Sequence, residues 1–114
     1  MKTILLDFND LKLKARLFNT EIAKKFYENL PYHVKLISWG EELYGPIGHD
    51  LGQENPVPVI PPGGIAYSRQ GTYICIFFGQ TPAWPVDHIG NITGDGWKKL
   101  TGKNIPSVII SKKE

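Results

Sequence analysis

Leu11, Leu13, Ala15 and Leu17 alternate with Lys12, Lys14, Arg16 and Phe18, the two-residue period of a half-buried strand. Met1–Phe8 reads as a strand before it, and Asn9-Asp10 between the two runs suits a tight antiparallel hairpin. The period then changes. Ile22, Phe26 and Leu30 recur behind Asn19 and Thr20, which can cap a helix, and Glu21, which complements the dipole of a first turn. This pattern predicts a short amphipathic helix ended by Pro31.

Strand-forming residues return over His33–Tyr44, with a bulge or tight bend expected at Gly40 between two short strands. Gly45–Pro62 contains Pro46, Pro56, Pro58, Pro61 and Pro62 with Gly45, Gly48 and Gly52. It is predicted to be a long, stiffened connection, and a loop of that length in a compact domain is either disordered or lines a site. Gly64–Ser68 and Thr72–Phe78 are the next strands, the second apolar enough to be covered on both faces. After Gly79–Asp87 come a strand at His88–Thr93, a helical turn at Trp97–Leu100 before Gly102, and a last strand at Ile105–Ser111. There is no internal repeat. Eight short strands and two brief helices predict a mostly β fold, an eight-stranded closed β-barrel with two short α-helices, because closure removes exposed edges.

With 114 residues, the chain suits a single domain over residues 1–114, large enough for apolar packing without metals or disulfides. Cys75 has no partner for an intradomain disulfide and sits in the apolar run Tyr73–Phe78, which suits a reducing, cytoplasmic setting. No run is long enough for a signal peptide or a membrane span. The formal charge of +2 is concentrated toward Lys98, Lys99, Lys103, Lys112 and Lys113, and Arg16 and Arg69 are far apart in sequence. That distribution suits a solvated lysine surface, and no nucleic-acid partner is expected.

Candidate chemistry is sparse. There is no P-loop, dinucleotide fingerprint, recognisable nucleophile or metalloprotease motif. His33, His49, His88 and Cys75 show no local metal-ligand spacing, so neither metal nor cofactor is expected. In an extended strand Glu41 shares a face with Trp39 and Leu43, and Glu42 with Gly40 and Tyr44. One carboxylate therefore points toward an apolar interior or cleft, where burial raises its pKa and suits it to acid/base work, unless a bulge at Gly40 turns both to solvent. His88 beside Asp87 is either a cleft-rim group or a structural histidine. Trp84 between Pro82 and Pro85 is a loop aromatic of the kind that forms a lid or an exposed anchor. Asn55–Gly63 is a loop wall, or else a polyproline ligand.

Trp39-Gly40-Glu41-Glu42-Leu43-Tyr44, Glu54-Asn55-Pro56, Phe77-Phe78-Gly79-Gln80-Thr81-Pro82 and His88-Ile89-Gly90-Asn91-Ile92 together resemble the small stand-alone prokaryotic proteins grouped as a cyclophilin-like domain family of unknown function. The order of predicted elements is similar to the cyclophilin barrel. The resemblance raises prolyl isomerisation, in which cyclophilins use a third-strand guanidinium; the matching stretch His33–Tyr44 contains no arginine, and Lys35 cannot copy a planar fork.

The expected function is therefore binding of a small molecule or short peptide in a barrel-side cleft bordered by Trp39, Glu41, Tyr44, Phe78, Gln80, Trp84 and His88. The alternatives are a weak prolyl isomerase, an acid/base enzyme using Glu41 or Glu42 with His88, and a subunit of a larger complex. No catalytic residue is assigned, and no oligomeric state follows from the pattern.

Overall fold

A computed structural model describes residues 1–113. The alternating run forms the second strand of a hairpin, β1 (Lys2–Asp7) and β2 (Lys12–Leu17), in register from Lys2↔Leu17 to Asp7↔Lys12. Asn9 holds the turn at φ 88°, a left-handed value that a short amide side chain tolerates better than most. Leu13, Ala15 and Leu17 point inward with Ile4 and Leu6, leaving Lys12, Lys14 and Arg16 outside.

Helix α1 (Glu21–Glu28) starts where Thr20 Oγ1 accepts the Ala23 N–H at 3.2 Å. It buries Ile22, Ala23 and Phe26 over one end of the barrel; Leu30, the last residue of the predicted stripe, follows the helix and is half-buried. The remaining strands are β3 (Tyr32–Lys35), β4 (Ile37–Ser38), β5 (Glu42–Pro46), β6 (Gly64–Ser68), β7 (Tyr73–Phe77), β8 (Asp87–Ile92) and β9 (Ser107–Lys112).

All neighbours are antiparallel, in the order β3-β9-β1-β2-β8-β6-β7-β5-β4. The two end strands of that order are consecutive in the chain. β3 pairs with β9 and β4 pairs with β5, so Tyr32–Ser38 changes partner at Leu36 and draws both edges together into a nearly closed barrel. At this seam β3 and β5 run so close that a Cβ on Gly45 would collide with the Lys35 carbonyl and Val34. The change of partner also explains why the described residues form nine strands where the pattern predicts eight.

A second difference concerns the helices. Only α1 is α-helical among the described residues; the turn expected at Trp97–Leu100 is a 3-10 turn over Gly96–Leu100, and another spans Gln70–Thr72. Asp95 provides no side-chain cap there, and so short a segment does not sustain α geometry. It still buries Leu100 and sets Gly96 against Leu13, closing the end opposite α1.

The long connection also begins later than its composition suggests. Gly45 and Pro46 complete β5, Pro46 lying at the strand end where its missing N–H is tolerated. The following loop is pinned throughout. Tyr67 Oη donates to the His49 carbonyl at 2.7 Å and accepts the Leu51 N–H at 3.0 Å. Buried Asp87 accepts the N–H groups of Glu54 and Asn55 at 3.2 and 2.7 Å, and Val57 and Val86 exchange two backbone hydrogen bonds. Its own Leu51 and Ile60 are buried, and the loop covers part of the barrel's outer wall.

Candidate functional site

The side-chain period of β5, β6 and β7 sorts their residues into two cores. Leu43, Ile65, Tyr67, Ile74 and Ile76 fill the barrel, whereas Ala66, Cys75 and Phe77 form a smaller outer cluster with Ile60 and Val86. Register then builds rows on the outer face: Glu42 beside Phe77, Tyr44 beside Cys75 beside Ala66, and Tyr73 beside Ser68. The segment Gly79–Pro85 returns across these rows and supplies Pro82, Ala83 and Trp84, while Trp39 reaches over from the β4–β5 turn. Together they enclose a cavity of about 190 Å³.

The turn decides which glutamate enters. Trp39 and Glu42 exchange backbone hydrogen bonds at 2.9 and 3.2 Å, and Gly40 at φ 60° provides the left-handed conformation the turn requires. Glu41 is left at the exposed tip, where its carboxylate lies against Gly79. Glu42, the first residue of β5, faces the cavity and is only 6% exposed. Loss of hydration pushes its carboxyl from an ordinary 4.5 up to about 7, opposed in part by the hydrogen-bonding Cys75 thiol. The thiol is itself raised well above 9.0, first by burial and then by the adjacent Glu42, which makes it a poor thiolate source. Among the described residues no lysine, arginine or histidine lines this cavity.

Trp84 forms one wall of the cavity. Its Nε1 donates to Ser68 Oγ at 2.8 Å, and Ser68 Oγ donates to the Gln70 carbonyl at 2.8 Å. The indole is 38% exposed and that of Trp39 45%, so both rings form the rim rather than the buried floor.

Of the residues expected at a cleft, Trp39, Tyr44 and Trp84 converge here. Glu41 and Gln80 meet outside the cavity, where Gln80 Oε1 accepts the Glu41 N–H at 3.3 Å. Phe78 points into the barrel core, one residue out of phase with Phe77. His88 Nε2 lies 3.0 Å from the Gly90 carbonyl and 2.9 Å from Asn91 Oδ1, its ring edge-on to Phe18. It belongs to the β8 side and does not line the cavity.

Sequence reasoning omitted Glu42, Ser68, Tyr73 and Cys75 from the expected rim. Glu42 was recoverable, because it shares strand parity with Tyr44. The others depend on cross-strand register. A larger hollow of about 560 Å³ lies between the β1–β2 turn and Lys103–Ser107, but Asp7, Asn9 and Asp10 make it a polar surface feature. Among the described residues no His, Cys, Asp and Glu side chains cluster to hold a metal ion, and no helix is long and apolar enough to cross a membrane.

The family model described as Cyclophilin-like matches residues 2–111. The chain belongs to the cyclophilin-like family. Its barrel is similar to the solution structure of the hypothetical protein AF2241 from Archaeoglobus fulgidus, with 25% identity and a TM-score of 0.80, covering 98% of this chain and 95% of that one. It is also similar to McbB, solved in complex with tryptophan, with 17% identity and a TM-score of 0.79; the match covers 96% of this chain and 44% of McbB, and shows the shared fold. No curated protein matches. In this cyclophilin-like chain Arg16 is exposed on β2, on a different wall of the barrel, and Arg69 lies just outside the Glu42 cavity.

Proposed function

We propose that this cyclophilin-like protein binds a small planar molecule in the Glu42 cavity, its ring between the aromatic walls and an N–H or O–H donor directed at the Glu42 carboxyl. The observation that carries this reading is a nearly buried carboxyl on the floor of a cavity whose other walls are Trp39, Tyr44, Tyr73, Phe77 and Trp84. Pockets are characteristically apolar with a few placed polar groups, and this one has that composition. A volume of about 190 Å³ suits one or two fused rings, since an apolar cavity of ~150 Å³ accepts benzene. McbB, a fold neighbour, was solved holding tryptophan, an aromatic ligand. An extended peptide fits less well, because Pro82–Trp84 crosses the outer face where its chain would run.

Titration of isotopically labelled protein with indole tests this. The expected result is saturable shifts at Trp39, Tyr44, Cys75 and the Trp84 indole N–H, with His88 and Arg16 unmoved. Shifts clustered instead between Asp7 and Leu11, or none at millimolar indole, would reject the reading.

A second reading, acid/base catalysis on the bound molecule, is favoured by the same carboxyl. Titrating at about 7, Glu42 holds comparable acid and base populations near neutrality, without His88 as a partner. Exchange of the indole C3 proton in heavy water is a direct probe, since a general acid delivers the deuteron and a base removes the proton. Exchange faster with wild type than with Glu42→Gln supports it; equal rates reject it.

A further inference from the structure

A second hollow, of about 310 Å³, adjoins the Glu42 cavity. Among the described residues the two share only Ser68 and Trp84, so the hydrogen bond between those side chains marks the partition. Their chemistry differs: among the described residues the Glu42 cavity has no cation in its lining, whereas the second hollow contains Arg69 beside Gln53 and Gln70.

Arg69 is oriented but not used up. Its Nε lies 3.3 Å from Asp50 Oδ1, and Asp50 Oδ1 also accepts the Gly52 N–H at 2.9 Å. That hydrogen bond and the neighbouring guanidinium hold the Asp50 carboxyl below its ordinary range. Among the described residues neither Arg69 Nη makes a hydrogen bond within the protein. A guanidinium fixed through Nε leaves its Nη donors available to a planar acceptor. One such fork, partly offset by Asp50 and with no lysine in the hollow's lining among the described residues, matches a carboxylate better than a phosphate dianion.

The geometry points to a single bipartite site for an aryl-alkanoic acid: the ring lies in the Glu42 cavity, and the carboxylate passes the Trp84–Ser68 partition to Arg69. This rests on the ring-binding reading above. The span sets the spacer. Glu42 is level with Phe77 and Ser68 with Tyr73, and those four residues of strand cover roughly 13 Å. The acid must therefore stand off the ring on a short chain, as in an arylpropionate and not a benzoate.

The test uses indole, indole-3-propionate and indole-3-propionamide by calorimetry at pH 6. The acid is expected to bind wild type about tenfold more tightly than its amide. Arg69→Gln should abolish that preference while leaving the affinity for indole unchanged, and Asp50→Asn should strengthen binding of the acid. Equal binding of acid and amide to wild type, or a preference that survives Arg69→Gln, overturns the bipartite site while indole still binds. Failure of all three probes to bind overturns the ring-binding reading and this site with it. Because Arg69 is exposed, an unchanged melting temperature verifies that Arg69→Gln is folded.

Discussion

Replacing Glu42 by glutamine removes, among the described residues, the only titratable side chain of the cavity with an ordinary pKa below neutrality; the others lining it are Tyr44, Tyr73 and Cys75. In the unfolded chain the carboxyl ionises near 4.5, and in the folded protein near 7. Between those values the folded state holds a proton that the unfolded state has released, so stability falls as pH rises through the window. The full contribution is present below pH 4.5 and lost above about pH 7. At about 1.4 kcal/mol per unit, the shift corresponds to an upper bound of about 3 kcal/mol, reduced by water reaching the cavity past Trp39 and Trp84. Asp50, shifted downward, titrates below this window, and Tyr32, Tyr67 and Cys75, shifted upward, titrate above it. Urea unfolding followed by tryptophan fluorescence, for wild type and Glu42→Gln from pH 5 to pH 8, isolates the effect. Wild type should lose stability relative to the variant across that range, the two being most alike at pH 5. Parallel profiles would refute the reasoning, because they would mean that Glu42 ionises alike in both states.

Gly45→Ala should cost about 1–3 kcal/mol in urea unfolding, because the added methyl overpacks the β3–β5 seam; an unchanged midpoint would show that the seam is looser. Tyr67→Phe leaves the Leu51 N–H and His49 carbonyl without their partner, so a loss of about 1–3 kcal/mol is expected, with faster amide exchange at Leu51. Asp87→Asn keeps one acceptor for the two N–H groups of Glu54 and Asn55 and should cost about 1.5–3 kcal/mol. Amide exchange at Asn55 reports whether that part of the loop loosens.

Much of the barrel was legible because β2 alternates cleanly, α1 carries its own cap and stripe, and proline and glycine mark the long connection. The change of partner at Leu36 was not legible, since nothing local to Tyr32–Ser38 says that its halves face different neighbours. The same limit governed the site. Trp39, Tyr44 and Trp84 were found as aromatics near turns, but Cys75 meets Tyr44 through register between strands distant in sequence, and Ser68 meets Tyr73 through the register of the β6–β7 pair. Phe78 and Phe77 differ by one residue and therefore by the whole thickness of the barrel wall. His88 looked like a site residue beside Asp87, yet each is engaged elsewhere: Asp87 by the loop backbone and His88 by Asn91.

The most direct measurement is the carbon-13 titration of the Glu42 side-chain carboxyl, free and with saturating indole. A midpoint near 7 that moves when indole binds is the predicted result. A midpoint near 4.5, indifferent to indole, would mean that the carboxyl is hydrated and that nothing is held against it.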